Sequence, residues 1–228
     1  MTVDAVLFDL DDTLCRYRRS GGELLAECYD RLDVDPVFSV EEYHERYREY
    51  LGEIEDIDAF RERCFADLAE ENGADPELGR EIARIYADER DQTAVEPLAG
   101  VPEVIDELAA DHAVGLVTNG PPGMQGTKLS AVGLDDAFEV EIFAGYDAPA
   151  KPAPDPFDLA LDEFGIGPDR AVHVGNSLTT DVAGAHAAGV GAVWLREETT
   201  MATAPIENQP GPRPDYVIDE LEELTERL

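Results

Sequence analysis

Apolar and polar stretches alternate along much of the chain in a way that predicts strands followed by helices. The apolar run Val3 to Phe8 predicts a buried parallel strand. Beyond Pro97, further strands and helices are predicted in turn. They are a helix from Pro102, a strand over 113–118, a helix ending near Gly133, strands near 138–143, 172–174 and 192–195, and helices near 155–164 and 181–188. This order is typical of an α/β fold with a doubly wound parallel sheet.

A different pattern fills residues 16–95, where consecutive helical periods replace the strand–helix repeat. Ser39 with Glu42 makes a capping box before one predicted helix, and Asp75-Pro76 begins another. Apolar residues on these helices have ordinary core spacing. We therefore predict two domains, an α/β core of residues 1–15 plus 96–228 and a helical insert of residues 16–95.

The C-terminal part of the chain has a simpler pattern. Residues 196–214 contain four prolines and no helical period, which indicates a surface loop. A short strand over 216–218 and a terminal helix from about Glu220 are predicted to follow.

The first candidate chemistry is an acidic cluster directly after the first predicted strand, where an α/β sheet binds ligands. Strand alternation aims Asp9 and Asp11 to the same side and turns Asp12 away. Two carboxylates in one small volume repel each other, and a bound divalent metal is the usual remedy. One carboxylate then suits nucleophilic attack and the other proton transfer, while Thr13 is placed to hold a transferred group.

Four motifs, in this order, resemble those of the haloacid dehalogenase-like hydrolases. They are Asp9 to Thr13, Leu116-Val117-Thr118-Asn119-Gly120, Lys151-Pro152 with Pro154 and Pro156-Phe157, and His173-Val174-Gly175-Asn176-Ser177 through Asp181. Thr118-Asn119-Gly120 with Gln125 and Lys128-Leu129 is similar, more narrowly, to the subgroup of nucleotide phosphatases and N-acylneuraminate 9-phosphatases. The resemblance implies a Rossmann-like core, and it identifies the helical insert with the cap of the first type in subfamily IA, which closes over the site.

The same resemblance implies a Mg²⁺-dependent phosphatase that acts on a small phosphate monoester. Asp9 would attack phosphorus to form an aspartyl-phosphate, and Asp11 would protonate the leaving oxygen and later deprotonate water. Thr118 and Lys151 would stabilise the phosphoryl oxygens. The other implied residues are Thr13, Asn119 and Gly120 for substrate binding, and Asp9, Asp11, Asn176 and Asp181 for Mg²⁺.

Asn176 departs from the family pattern, which has an aspartate after the glycine of the fourth motif. An amide oxygen still ligates a hard cation, but it brings one negative charge less. Mg²⁺ binding is therefore expected to be weaker or to depend on Asp181. Apart from the resemblance, Asp181 is explained as a carboxylate at a helix N-terminus.

Two other functions stay open on this evidence. A phosphomutase of the β-phosphoglucomutase type has similar core motifs, and a non-catalytic protein that binds a phosphorylated ligand would explain Asn176. A haloacid dehalogenase lacks the carboxylate that Asp11 provides. A phosphonoacetaldehyde hydrolase needs a cap lysine, and residues 16–95 contain none.

The amino-acid composition indicates the salt conditions to which the protein is adapted. The chain has 52 acidic and 17 basic residues, and its formal net charge is −35. At molar salt the screening length falls to about 3 Å, which removes most of the repulsion. We therefore expect a salt-adapted, haloarchaeal-like protein in the cytoplasm. Neither nucleic-acid nor membrane partners are expected, because the sequence has no basic patch and no apolar stretch near the roughly 20 residues that cross a bilayer.

Lysine and cysteine usage complete the candidate residues. Lys128 and Lys151 are the two lysines of the chain. A compact ammonium fits among carboxylates and a phosphoryl group where a planar guanidinium does not, which favours a functional role for Lys151. The three cysteines form no CxxC pair, so reduced thiols are expected, with Cys15 a small apolar filler. His173 is interpreted as a packing residue of its strand. Oligomeric state and the identity of the substrate are not indicated by any pattern.

Overall fold

The computed structural model describes residues 2–50, 56–196 and 211–228. The chain divides into two compact units, Met1–Arg16 with Val95–Leu228 and Tyr17–Ala94. In chain order the strands are β1 (Ala5–Phe8), β2 (Cys15–Tyr17), β3 (Val95–Pro97), β4 (Ala113–Asn119), β5 (Val140–Ala144), β6 (Ala171–Gly175), β7 (Gly191–Leu195) and β8 (Tyr216–Ile218). The α-helices are α1 (Gly21–Leu32), α2 (Val40–Glu49), α3 (Ile57–Glu71), α4 (Pro76–Glu89), α5 (Val101–Leu108), α6 (Pro122–Val132), α7 (Asp155–Phe164) and α8 (Ala183–Ala187).

The first unit is built on a parallel sheet of six strands in the order β5-β4-β1-β6-β7-β8. Strand β1 lies between β4 and β6, with Leu7 opposite both Gly115 and His173. The chain winds outward from β1 in both directions, so the predicted α/β class and doubly wound sheet are confirmed.

Strand β1 is buried on both faces, as a central parallel strand must be. Its four residues have no exposed surface. Val6 and Phe8 pack into one apolar cluster, and Ala5 and Leu7 pack into another. The chain therefore leaves β1 from the middle of the core, and the acidic residues that follow begin at its carboxyl end.

The second unit contains α1 to α4, and local signals explain where these helices begin. Ser20 and Ser39 each form a capping box with a glutamate three residues later, at the starts of α1 and α2. Aspartates cap α3 and α4. The core of this unit is aromatic, with the ring centroids of Phe38 and Tyr43 each 4.9 Å from that of Phe65. That this unit serves as a cap stays a prediction.

Four elements differ from the sequence prediction. The short strands β2 and β3, which pair in a separate sheet, were not expected. A π-helical turn over Leu178–Val182 precedes α8, so Asp181 lies inside this turn and not in the first turn of an α-helix. The predicted terminal helix is a 3₁₀ turn over Leu221–Leu224, because so short a segment cannot propagate an α-helix and its two buried leucines fit a three-residue period.

Part of the predicted C-terminal loop, residues 197–210, lies outside the described residues. The strand expected after it is present as β8. Within the described ranges, no helix has the length and apolar character needed to span a bilayer.

Candidate active site

The acidic segment after β1 forms a tight turn at the carboxyl end of the sheet. The Asp9 amide donates to the carbonyl of Val174 in β6 at 2.9 Å. Asp12 occupies the left-handed region with a φ of 56°, a conformation that aspartate tolerates better than most residues. Asp9 is buried, Asp11 is half-buried and Asp12 is exposed. Asp9 and Asp11 are therefore at least partly shielded from solvent, whereas Asp12 is not.

Lys151 lies between Asp9 and Asp181. Its Nζ donates to Asp9 Oδ1 at 2.9 Å, to Asp181 Oδ1 at 2.6 Å and to the Val117 carbonyl at 2.7 Å. An ammonium group has three N–H donors, so each has an acceptor here. Both Lys151 and Asp181 are almost completely buried, and the network is therefore held apart from water.

The surroundings of the two carboxylates push their pKa values in opposite directions. Burial raises the pKa of Asp9 to about 6 against the attraction of Lys151, and Asp181 adds to the rise. Burial also acts to raise the pKa of Asp181, but Lys151 and the hydrogen bond from His173 outweigh it and hold this pKa well below its usual range. Burial alone would lower the pKa of Lys151, yet its two carboxylate neighbours raise it. Asp181 is therefore the main counter-ion of Lys151, and Asp9 is the carboxyl that is more easily protonated.

The raised pKa of Asp9 predicts that Asp9→Asn stabilises the metal-free protein. A carboxyl whose pKa is higher in the folded state supports folding fully below about 3.8, and this support is lost as the pH rises through about 6. The difference of about two pKa units corresponds to about 3 kcal/mol. We expect the variant to gain about 1–3 kcal/mol in unfolding free energy at about pH 7.5 and less at about pH 5, measured by urea unfolding with EDTA in molar KCl.

The matched control for this prediction is Asp12→Asn. Asp12 is exposed, and asparagine also tolerates its left-handed backbone conformation. This variant should show no gain that grows between about pH 5 and about pH 7.5. A stability gain of Asp9→Asn that is the same at both pH values would contradict the prediction.

Helix α6 holds Asp11 through two side chains. Lys128 Nζ donates to Asp11 Oδ1 at 2.6 Å and to Oδ2 at 2.8 Å, and Gln125 Nε2 donates to Oδ2 at 3.1 Å. Lys128 and Gln125 lie one helical turn apart and are both buried. The Asp11 carboxylate is therefore bound by one charged and one neutral donor from the same helix.

Gln125 also connects Asp11 to Thr118. Its Nε2 donates to Thr118 Oγ1 at 2.9 Å. Gly120 makes this approach possible, since its φ is 148° and an added Cβ would lie 3.1 Å from the Gln125 Cδ. The glycine after Thr118 and Asn119 thus has a structural explanation, and its contact with substrate stays a prediction.

Asn119 ties the end of β4 to the segment that carries Lys151. Its Oδ1 accepts from the Lys151 main-chain N–H at 2.9 Å, and its Nδ2 donates to the Lys151 carbonyl at 3.1 Å. The amide side chain therefore positions Lys151 through the backbone. A contact of Asn119 with substrate stays a prediction.

The other predicted residues lie nearby with different exposure. Thr13 is fully buried, and within the described ranges its hydroxyl has no hydrogen-bond partner. Asn176 is half-buried, and its main-chain carbonyl accepts from Trp194 Nε1 at 2.7 Å. Gly175 makes room for Asp181, because an added Cβ would lie 2.3 Å from the Asp181 Cγ. Binding of substrate by Thr13 and of metal by Asn176 and Asp181 stay predictions.

Sequence reasoning assigned no site role to three residues that the structure places in these networks, which are His173, Lys128 and Gln125. His173 was interpreted as packing, yet its Nε2 lies 3.2 Å from Asp181 Oδ1, where the carboxylate can only accept and the ring nitrogen therefore donates. Burial lowers the pKa of His173, which favours the neutral ring. Lys128 was noted only within a motif, although its being one of two lysines was a usable signal. Cys15 is buried and its pKa is raised to about 12 by burial, which agrees with an inert filler.

Comparisons with known proteins identify the family. The haloacid dehalogenase-like hydrolase family matches residues 3–189. The chain belongs to this family of hydrolases, as its four motifs predicted.

Individual relatives share different lengths of the chain. The phosphoserine phosphatase of Thermus thermophilus is 38% identical over 136 residues, which are 60% of this chain and 54% of that enzyme. The ribulose-1,5-bisphosphate 5-phosphatase of Halopiger xanaduensis is 30% identical over 237 residues, which are 97% of this chain and 98% of that enzyme. Among solved structures, a HAD-hydrolase of Bacillus subtilis bound to magnesium is similar in fold, with a TM-score of 0.67 and 21% identity over 99% of this chain and 98% of that one.

Proposed function

We propose that this chain hydrolyses a small-molecule phosphate monoester through an aspartyl-phosphate formed on Asp9. The observation that carries the proposal is the pairing of each motif aspartate with its own buried lysine, Asp9 with Lys151 and Asp11 with Lys128. This arrangement supplies a nucleophile, a proton carrier and fixed positive charge. The two relatives described above, one similar over part of the chain and one over nearly all of it, are both named as phosphatases, which supports the same reaction class.

The proposed reaction divides into two steps that use the same residues. An Asp9 oxygen bonds to phosphorus while the bond to the leaving oxygen breaks, and Asp11, which has first taken up a proton from solvent, gives that proton to the leaving oxygen. Water then attacks phosphorus, gives a proton to Asp11, and frees Asp9 and inorganic phosphate. Lys151 and the Thr118 hydroxyl stabilise the charge on the phosphoryl oxygens, and Asp181 and Asn119 keep Lys151 in place.

The donor set at the turn fits Mg²⁺, which prefers hard oxygen ligands. The Asp9 carboxylate, the Asp11 carbonyl and the Asn176 amide oxygen would hold the ion. A cation there would also favour the ionised form of Asp9, whose pKa is otherwise raised by burial. Both Asp181 oxygens already accept hydrogen bonds, from Lys151 and from the Ser177 amide, so a metal would compete for them. Bound Mg²⁺ would supply charge neutralisation between nucleophile and phosphate.

The helical unit Tyr17–Ala94 is proposed to serve as a cap that excludes water and helps to choose the leaving group. A second candidate function rests on Asn176, which brings one negative charge less to the metal. Under that alternative the chain binds a phosphorylated ligand without turning it over.

Release of inorganic phosphate from a panel of phosphate monoesters tests the proposal. The panel includes phosphoserine, ribulose 1,5-bisphosphate and p-nitrophenyl phosphate, in molar KCl with Mg²⁺ or with EDTA. We expect release that requires Mg²⁺, and the best member of the panel will define the substrate class. Isothermal titration of the same compounds is the parallel measurement.

Other outcomes separate the remaining possibilities. Binding of a panel member without phosphate release would establish the ligand-binding protein. Movement of phosphate within a sugar without release would establish a phosphomutase. Equal release with EDTA and with Mg²⁺ would overturn the metal requirement while leaving the phosphatase in place.

A further inference from the structure

Both lysines of this chain lie in the candidate active site, and each binds a different motif aspartate. Lys151 binds Asp9 and Lys128 binds Asp11, and both lysines are buried. Apart from these two lysines, every residue in the chain's total of 17 Lys plus Arg is an arginine. A composition that uses arginine almost everywhere has therefore kept lysine at two positions, and the role of Lys128 is the one that the reaction above leaves open.

The contact itself indicates why lysine is needed at position 128. A single Nζ lies within 2.8 Å of both Asp11 oxygens, and the lysine side chain is only 2% exposed. This geometry suits a compact point charge, whereas a planar guanidinium needs more room and a side-by-side approach.

Stability does not account for this pair. Burying an ammonium is costly, and an apolar residue on the buried face of α6 would avoid that cost. Asp11 does not need the lysine for solvation, because its side chain is 35% exposed and accessible to water. The buried Lys128 gains a counter-ion in Asp11, whereas Asp11 can be hydrated by water without Lys128.

Orientation of Asp11 remains as the role that fits these contacts. A half-exposed aspartate has several rotamers available, and a proton carrier is effective only when its oxygen is held in place. Lys128 and Gln125 bind the carboxylate from one helix, and Gln125 also binds the Thr118 hydroxyl. The Gln125 side chain therefore fixes the position of Asp11, the proposed proton carrier, relative to Thr118, which is proposed to bind the phosphoryl group.

We propose that Lys128, together with Gln125, is a positioning residue that holds the Asp11 carboxylate for proton transfer to the leaving oxygen. The proposal rests on the phosphatase function proposed above. It assigns to α6 a part in proton transfer, in addition to the role of Lys151 beside the nucleophile.

The contact can be tested without any turnover, since the chain has two lysines. Protein labelled with [¹⁵N]lysine should give two side-chain ammonium signals, assigned with Lys128→Arg and Lys151→Arg. In metal-free protein, Asp11→Asn should shift the Lys128 signal and leave the Lys151 signal nearly in place, while Asp9→Asn should do the reverse. A Lys128 signal that does not respond to Asp11→Asn would overturn the proposal.

Kinetics then test whether the contact serves proton transfer. Lys128→Met should lower kcat/KM for phenyl phosphate by about tenfold or more and kcat/KM for p-nitrophenyl phosphate much less, because p-nitrophenolate leaves without being protonated. The comparison uses kcat/KM because it does not include the later attack of water, which both substrates share. In the Asp11→Asn background, Lys128→Met should cause no further loss. Lys128→Arg should recover part of the rate with phenyl phosphate.

Leu129→Ala is the matched control on the same helix. Leu129 is buried in the core, so the change lowers stability, and the rates with the two substrates should keep their ratio. Equal losses with both substrates in Lys128→Met, or an added loss on Asp11→Asn, would overturn the positioning role and leave the phosphatase intact. A wild-type chain that hydrolyses neither compound nor any panel member would overturn the phosphatase and this role with it, while the NMR result would still decide the contact.

Discussion

Asp9→Asn is expected to lower phosphate release by about 10⁴-fold or more, because the amide cannot form the covalent bond to phosphorus. The substitution keeps the size of the side chain and an oxygen that can accept from Lys151. The loss should therefore reflect chemistry and not a collapsed site. The measurement is the initial rate with the best panel substrate in molar KCl and Mg²⁺, for wild type and variant at equal concentration.

Two comparisons make this result specific to the nucleophile. Asp12→Asn, three residues along the same turn, should keep nearly full activity, because Asp12 is exposed and the proposed reaction gives it no role. The inactive Asp9→Asn protein should also be the more stable one near neutral pH, since a buried carboxylate with a raised pKa has been removed. Activity of Asp9→Asn within tenfold of wild type would rule out an aspartyl-phosphate on this residue.

Among the single substitutions considered, Lys151→Met is expected to cause the largest loss of stability. Without the ammonium, the buried Asp181 loses its counter-ion, Asp9 loses its partner, and the Val117 carbonyl loses a donor. Breaking a buried ion pair from one side typically costs about 3–5 kcal/mol. We expect a decrease of that size in the unfolding free energy, measured by urea unfolding in molar KCl at about pH 7.5. Phosphate release should be lost as well.

Lys128→Met is the natural control for that experiment. It removes the only other lysine, which is also buried, but its partner Asp11 is 35% exposed and can be hydrated by water. The unfolding free energy should therefore change much less, by about 1 kcal/mol or less in either direction, because methionine also removes the cost of burying the ammonium. Equal losses for the two lysine variants would contradict the view that burial of the partner carboxylate determines the cost.

Most helices and strands of both units could be predicted because their signals are local. The helix expected over 155–164 is α7, and the strand expected over 216–218 is β8. The helix expected after Asp75 is α4, with that residue as its N-cap. Caps, turn residues and apolar periods act over a few positions, so one sequence is enough to recognise them.

The errors arose where distant residues decide local structure. Asp181 was placed at the start of an α-helix, yet it lies in a π-helical turn, where its Oδ2 accepts from the Ser177 amide at 2.9 Å and its Oδ1 accepts from Lys151. The side chain is thus held by contacts within the turn and across the site together. The contact with Lys151 cannot be predicted from the helical periodicity of the sequence around Asp181.

Candidate residues were easier to find than their partners. The motifs predicted Asp9, Asp11 and Lys151 as parts of one site, and the structure pairs Asp9 with Lys151 and Asp11 with Lys128. His173 was interpreted only as packing, because nothing in the residues around it indicates that its ring meets Asp181. Gln125 and Lys128 stood in a motif without a role, since their acceptor, Asp11, lies more than a hundred positions earlier in the chain.

By itself, the sequence determined the α/β class, the helical insert, the family and the candidate site residues, because periodicity, capping and motif spacing are properties of short segments. The tertiary structure decided which carboxylate each lysine serves. Lys151 takes its acceptors from three separate segments, and these meet because β4, β1 and β6 are neighbours in one parallel sheet. The charge pairs and the opposed pKa values of Asp9 and Asp181 depend on distance and burial, and both are set only when the strand ends come together.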